Sequence, residues 1–93
     1  MRERDIERTF VGAIQALGGE VRKVQWIGRR GAPDRVVMLA GRTIWVELKR
    51  PGEELTSWQE REHGRMRAMG QRVLVIDSLP GVERLVAELR DAS

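Results

Sequence analysis

Gly31-Ala32-Pro33-Asp34-Arg35-Val36-Val37-Met38-Leu39-Ala40-Gly41-Arg42-Thr43-Ile44-Trp45-Val46-Glu47-Leu48-Lys49 is the stretch that decides how this chain folds. Arg35 to Leu39 is an apolar run, Ala40-Gly41-Arg42 reads as a turn, and Thr43 to Lys49 is again apolar with alternation. Together they predict a β-hairpin. With Ala40 and Gly41 as a two-residue loop, Leu39 pairs with Arg42, and counting outward sets Asp34 opposite Glu47. Directly opposed residues have Cβ atoms about 5 Å apart, near enough for two carboxylates to share one ion. A slip of one residue would send the acids to opposite faces. Ala-Gly is not the favoured Asn-Gly type of turn, so a longer loop is the competing reading.

Side chains alternate along a strand, so Glu47 and Lys49 point one way and Leu48 the other. Two acids and a lysine among Ile44, Trp45, Val46 and Leu48 are costly to bury unless something compensates. A divalent cation compensates, and the pattern therefore implies a metal-dependent nuclease. The single histidine, His63, argues against His-pair zinc sites and Ser-His-Asp triads, and reads as a partly buried or surface side chain. Gly28-Arg29-Arg30-Gly31 is too short and wrongly followed for a phosphate-binding P-loop.

Ninety-three residues suffice for one domain, residues 1–93, with a real core and little room for insertions. There is no cysteine, so neither disulfides nor a thiolate zinc site holds the chain together. No apolar stretch reaches membrane-spanning length, and Met-Arg-Glu-Arg does not open a signal peptide, so a cytoplasmic location is expected, with no membrane partner. Charged residues make up 33% of the chain, the net charge is +3 and the pI is about 10.5. At that net charge a slightly basic solvated surface explains as much as an acidic partner does. The distribution says more. Arg22, Lys23, Arg29, Arg30 and Arg35 crowd around the Pro33-Asp34 turn, Lys49 and Arg50 lie at the far end of the hairpin, and Arg61, Arg65, Arg67 and Arg72 form a second group. A basic rim around an acidic pocket suits phosphate backbones.

Helical spacing of Ile6, Phe10, Ile14 and Leu17 predicts a helix from about Glu3 to Leu17, stopped by Gly18-Gly19. Val21 to Ile27 reads as a first strand, and Pro51-Gly52 stops the third. Thr56 with Gln59, or Ser57 with Glu60, offers a capping box for a helix running to about Met69, with Gly70 as its stop. Val73 to Ile76 is a short strand, expected to lie parallel to a neighbour after a helical crossover. Leu79-Pro80-Gly81 reads as a turn, and Val82, Leu85, Val86 and Leu89 mark a last helix. The order is α-β-β-β-α-β-α.

Gly31-Ala32-Pro33-Asp34-Arg35, Val46-Glu47-Leu48-Lys49-Arg50-Pro51-Gly52 and Gln59 together resemble the VRR-NUC family of the PD-(D/E)xK nuclease superfamily. The likeness spans nearly the whole chain, to Val73-Leu74-Val75-Ile76-Asp77-Ser78. Asp…Glu-x-Lys alone is a weak signal; Pro33, the Leu-Lys-Arg-Pro-Gly continuation, Gln59 and the element order make it specific. The resemblance implies an α/β, restriction-endonuclease-like α-β-β-β-α-β core with a mixed sheet flanked by helices, here with a further C-terminal helix. Small free-standing members are phage or bacterial, and some act as dimers on branched DNA. The chain departs from phage members at Trp26-Ile27, where Ser-Pro often precedes Gly-Arg-Arg-Gly.

Carried over residue by residue, the resemblance makes Asp34 and Glu47 the principal ligands of Mg²⁺ or Mn²⁺, with the backbone carbonyl of Leu48. Oxygen-only coordination suits either ion. Lys49 orients the attacking water or stabilises developing charge; its plain alternative is an ion pair with Glu47. Glu7 matches an acid contributed from the first helix, with Glu3 competing and a solvated glutamate beside Arg4 and Arg8 as the plain reading. Gln59 supports Lys49 or touches DNA, or simply caps its helix with Thr56. Lys23, Arg29, Arg30, Arg35 and Arg50 are the expected nucleic-acid contacts, and a solvated lysine is the plain reading of Lys23. The implied function is a metal-dependent endonuclease on branched DNA such as four-way junctions. A non-catalytic nucleic-acid-binding module and a partner-dependent nuclease subunit are the alternatives. Three tryptophans and four methionines in so short a chain lead us to expect a homodimer.

Overall fold

The computed structural model describes residues 2–92. Its elements run α1 (Glu3–Ala16), β1 (Glu20–Lys23), β2 (Arg35–Leu39), β3 (Arg42–Leu48), α2 (Ser57–Ala68), β4 (Val73–Ile76) and α3 (Leu79–Asp91). The strands form one sheet in the order β1-β2-β3-β4. The first three are antiparallel neighbours and β4 joins β3 in parallel after the α2 crossover. The sheet is therefore mixed, as expected.

The hairpin takes the expected register. Leu39 pairs with Arg42 and Arg35 with Val46, so Asp34 and Glu47 come next in line. Gly41 has φ +74°, whereas no non-glycine residue among those described has positive φ. Ala40 thus stays in ordinary backbone space and only the second loop position needs glycine. Leu48 and Val46 face the helices on one side of the sheet, because Ile6, Phe10 and Ile14 of α1 and Val82, Leu85 and Leu89 of α3 share a buried cluster with Val37, Ile44, Val46, Leu48 and Ile76. Strand alternation turns Trp45, Glu47 and Lys49 to the other side, against α2.

Two boundaries and one burial differ from expectation. β1 ends at Lys23, and only Val24 prolongs the pairing by donating its N–H to the Asp34 carbonyl at 2.9 Å. Beyond it Trp26 leaves the ladder to bond a side chain of α2, and Ile27 is fully exposed. Leu79-Pro80-Gly81 is the first turn of α3 rather than a preceding turn: Ser78 caps it by accepting from Gly81 N at 3.1 Å. Proline is tolerated there because a first-turn N–H has no helical partner to lose. His63 of α2, expected to be partly buried or at the surface, is fully buried.

Candidate active site

The site starts from the hairpin. Asp34 ends the approach to β2, and its Oδ1 accepts the backbone N–H of Leu48 at 3.1 Å. That bond ties the Asp34 carboxylate across the hairpin, next to Glu47. Glu47 is 4% exposed and Lys49 7%, with Lys49 Nζ 3.6 Å from Glu47 Oε2. Gln59 then reaches down from α2: its Nε2 donates to Glu47 Oε2 at 3.1 Å. The same glutamine closes the expected capping box, since Thr56 N donates to its Oε1 at 2.9 Å and its own N–H reaches Thr56 Oγ1 at 3.1 Å. The capping reading of Gln59 holds in the structure, and its side chain bonds Glu47 rather than the expected Lys49.

The electrostatics follow from this packing. Burial, reinforced by the Asp34 charge and opposed by Lys49, pushes the Glu47 carboxyl up to about 7. Burial also raises Asp34, against the lowering effects of the Leu48 hydrogen bond and Arg35. Two carboxylates held where neither ionises comfortably are cation-seeking. Glu47 Oε2 is taken by Gln59 and Lys49, while Oε1 is buried without a hydrogen-bond partner. An oxygen of that kind, beside a second carboxylate and with no sulfur or histidine joined to it, fits a hard divalent ion. Among the described residues no group of three or more His, Cys, Asp or Glu is placed to hold a metal. The acidic oxygens that the hairpin brings together are those of Asp34 and Glu47, beside the Leu48 peptide.

Glu7 stands near this pair, close enough to raise Asp34, but Arg35 intervenes. Arg35 Nη2 pairs with Glu7 Oε2, and Nη1 donates to the Asp34 carbonyl at 2.8 Å while lying 3.7 Å from Asp34 Oδ2. Its side chain is only 11% exposed. Expected on the DNA-facing rim, Arg35 is instead turned inward, because β2 packs its start against the acid on α1. Glu3 is exposed in the first turn of α1 and takes no part.

The other basic residues separate by partner. Lys23 is exposed; Arg50 lies 3.9 Å from Glu53; Arg29 is 3.5 Å from Glu62; and Arg30 sits over the ring of Trp58. The second basic group is largely consumed by structure. Arg65 pairs with Glu62, Arg67 donates twice to the Val73 carbonyl, and Arg72 pairs with Glu88. Sequence reasoning missed Glu62. It is 5% exposed and accepts from Trp26 Nε1 at 2.7 Å and Arg65 Nε at 3.0 Å, and these bonds hold its carboxyl below the usual range despite burial. It fastens the segment before Asp34 to α2. The one signal in the sequence is its position three residues after Gln59, which puts both on one helical face.

Sheet order, helix placement and the Asp, Glu-x-Lys arrangement across β2 and β3 are together those of a PD-(D/E)xK core. A protein named "Putative nuclease p44", from Acyrthosiphon pisum secondary endosymbiont phage 1, is 47% identical over 79 residues, covering 84% of this chain and 85% of that protein. A solved structure described as "VRR_NUC domain" matches with a TM-score of 0.86 at 37% identity, over 91% of this chain and 94% of that one. A scan against protein-family models gives no match. With likeness of that extent in both sequence and structure, the chain belongs to the VRR-NUC domain family.

Proposed function

We propose that this protein is a Mg²⁺- or Mn²⁺-dependent endonuclease that hydrolyses DNA phosphodiester bonds, with branched DNA as its substrate. The observation that carries the reading is the buried Glu47, with Oε1 unpartnered, next to Asp34 and Lys49. The phage relative's name supports nuclease activity. Asp34, Glu47 and the Leu48 carbonyl would hold the cation. Bound there, such an ion would supply Lewis acidity at the scissile phosphate. Lys49 orients the attacking water and neutralises charge developing on the phosphate, which its burial strengthens by lowering the local dielectric. Gln59 fixes the Glu47 rotamer. Glu7 acts through Arg35, which holds Asp34 in place, rather than as a ligand. Lys23, Arg29, Arg30 and Arg50 contact the phosphate backbone.

Matched single-stranded, duplex, flapped and four-way-junction DNA, each with Mn²⁺, Mg²⁺ or EDTA, tests this. Cleavage is expected only with metal, fastest on the junction, and at least a hundredfold slower in Lys49→Ala, the scale of losing one charge-stabilising group. Binding without cleavage of any substrate would make the chain a binding module or a subunit needing a partner.

A further inference from the structure

The three tryptophans have separate fates. Trp26 and Trp45 pack edge to face at 5.7 Å between ring centroids, and their indole N–H groups donate to Glu62 and Gln71. Trp58 does neither. It is 47% exposed on the first turn of α2, with the guanidinium of Arg61 4.8 Å and that of Arg30 5.2 Å from its ring centroid. Neither arginine pairs with a carboxylate among the described residues. Beside the ring opens a groove of about 650 Å³, lined by Gly28, Arg29, Arg30, Trp58 and Arg65.

With about half its surface open and two guanidiniums beside it, the indole offers an electron-rich face at the surface. The position is also defended. Gly31 packs so closely on α2 that a Cβ there would lie 2.3 Å from the Trp58 carbonyl, and its φ of +92° suits glycine alone. Gly31 leads into Pro33-Asp34. The segment that packs on Trp58 thus leads into Asp34, and Gln59, the residue after Trp58, bonds Glu47.

We propose that Trp58, with Arg30 and Arg61, is a stacking platform for one unpaired base of the DNA next to the bond that is cut. The proposal rests on the chain being a DNA nuclease. An aromatic ring with two guanidiniums over it, neither paired with a carboxylate, is the combination that single-stranded nucleic acid recognises: an arginine leaves the ring for a flanking phosphate and the base takes its place on the face. A base inside a duplex is stacked on its neighbours and presents no face, so the platform selects flaps and other branches that carry unpaired bases over continuous duplex. The groove has the volume of a small-ligand site and takes the displaced nucleotide.

Equilibrium binding in EDTA, which needs no cleavage, tests the platform on a flapped DNA and a duplex of equal length. Trp58→Ala is expected to weaken flap binding by between about fivefold and a hundredfold and leave duplex binding unchanged, with Trp58→Phe close to wild type. Replacing successive flap bases by abasic sites is expected to find one position that weakens the wild type and has no further effect on Trp58→Ala. Equal losses on flap and duplex, or additive losses at every abasic position, would overturn the platform. Cleavage by the wild type, followed in parallel, judges the nuclease reading separately.

Discussion

Glu47 shows how one residue ties stability to chemistry. Its carboxyl titrates near 7 in the folded chain and near 4.5 when unfolded. Between those values the folded state holds a proton that the unfolded state has lost, so stability falls as pH rises through this window. The full shift corresponds to roughly 3 kcal/mol. The metal-free protein should therefore melt lower at pH 7.5 than at pH 5, and Glu47→Gln should flatten that slope. Because a cation takes only the ionised form, Mn²⁺ should raise the melting temperature strongly at pH 7.5 and little at pH 5. Melting curves at both pH values, with Mn²⁺ or EDTA, measure this; an equal shift at both would remove Glu47 from the metal site. Arg35 supports a second prediction. Breaking a fully buried ion pair costs about 3–5 kcal/mol, but Glu7 remains 32% exposed, so Arg35→Met should cost nearer 2 kcal/mol. Chemical denaturation should find much of the loss recovered in Arg35→Met with Glu7→Leu, since the stranded acid is removed.

At the scale of elements, α2 carries two duties that substitution can separate. Thr56 contributes only the cap, so Thr56→Ala should cost about 1 kcal/mol, a melting shift of about 4–8 °C, with cleavage little changed. Gln59→Ala removes the contact to Glu47 as well, and should lower the cleavage rate beyond any stability effect. Equal activity in the two variants would make Gln59 a cap alone. The elements also show what was legible in the sequence. The hairpin could be counted residue by residue because a period of two and a short loop leave one register that puts both acids on one face. The Val21–Ile27 strand was overread because apolar content continues past Lys23, while Trp26 answers to Glu62, 36 positions away. Arg35 was misplaced for the same reason: its partner Glu7 lies on another element, 28 positions off. Local alternation reveals which face a residue takes; only packing decides which distant charge it meets. Leu79-Pro80-Gly81 failed differently, because the same residues suit a turn and a helix N-terminus, and Ser78 decided between them.

On the whole molecule, one chain mounts one Asp34–Glu47–Lys49 set, whereas opening a four-way junction symmetrically takes two. The surface leaves apolar groups for a second copy: Ile27 is 100% exposed, Met69 77%, Val75 40% and Met38 39%. Val75 lies on β4, which pairs only with β3 and ends the sheet. A terminal strand with a partly exposed apolar side chain invites pairing with another edge. A two-fold axis would duplicate one patch and bring the paired sites to fixed spacing, matching the symmetry of a junction. Among the described residues no helix is long and apolar enough to cross a membrane, so a bilayer does not account for these groups by that route. Sedimentation at micromolar concentration should therefore give a particle of twice the 10.6 kDa chain mass. Val75→Lys, which places like charges across any symmetric contact at that edge, should shift it towards the monomer. A wild type that sediments as a lone monomer would overturn the dimer and would require two chains to meet on the DNA itself.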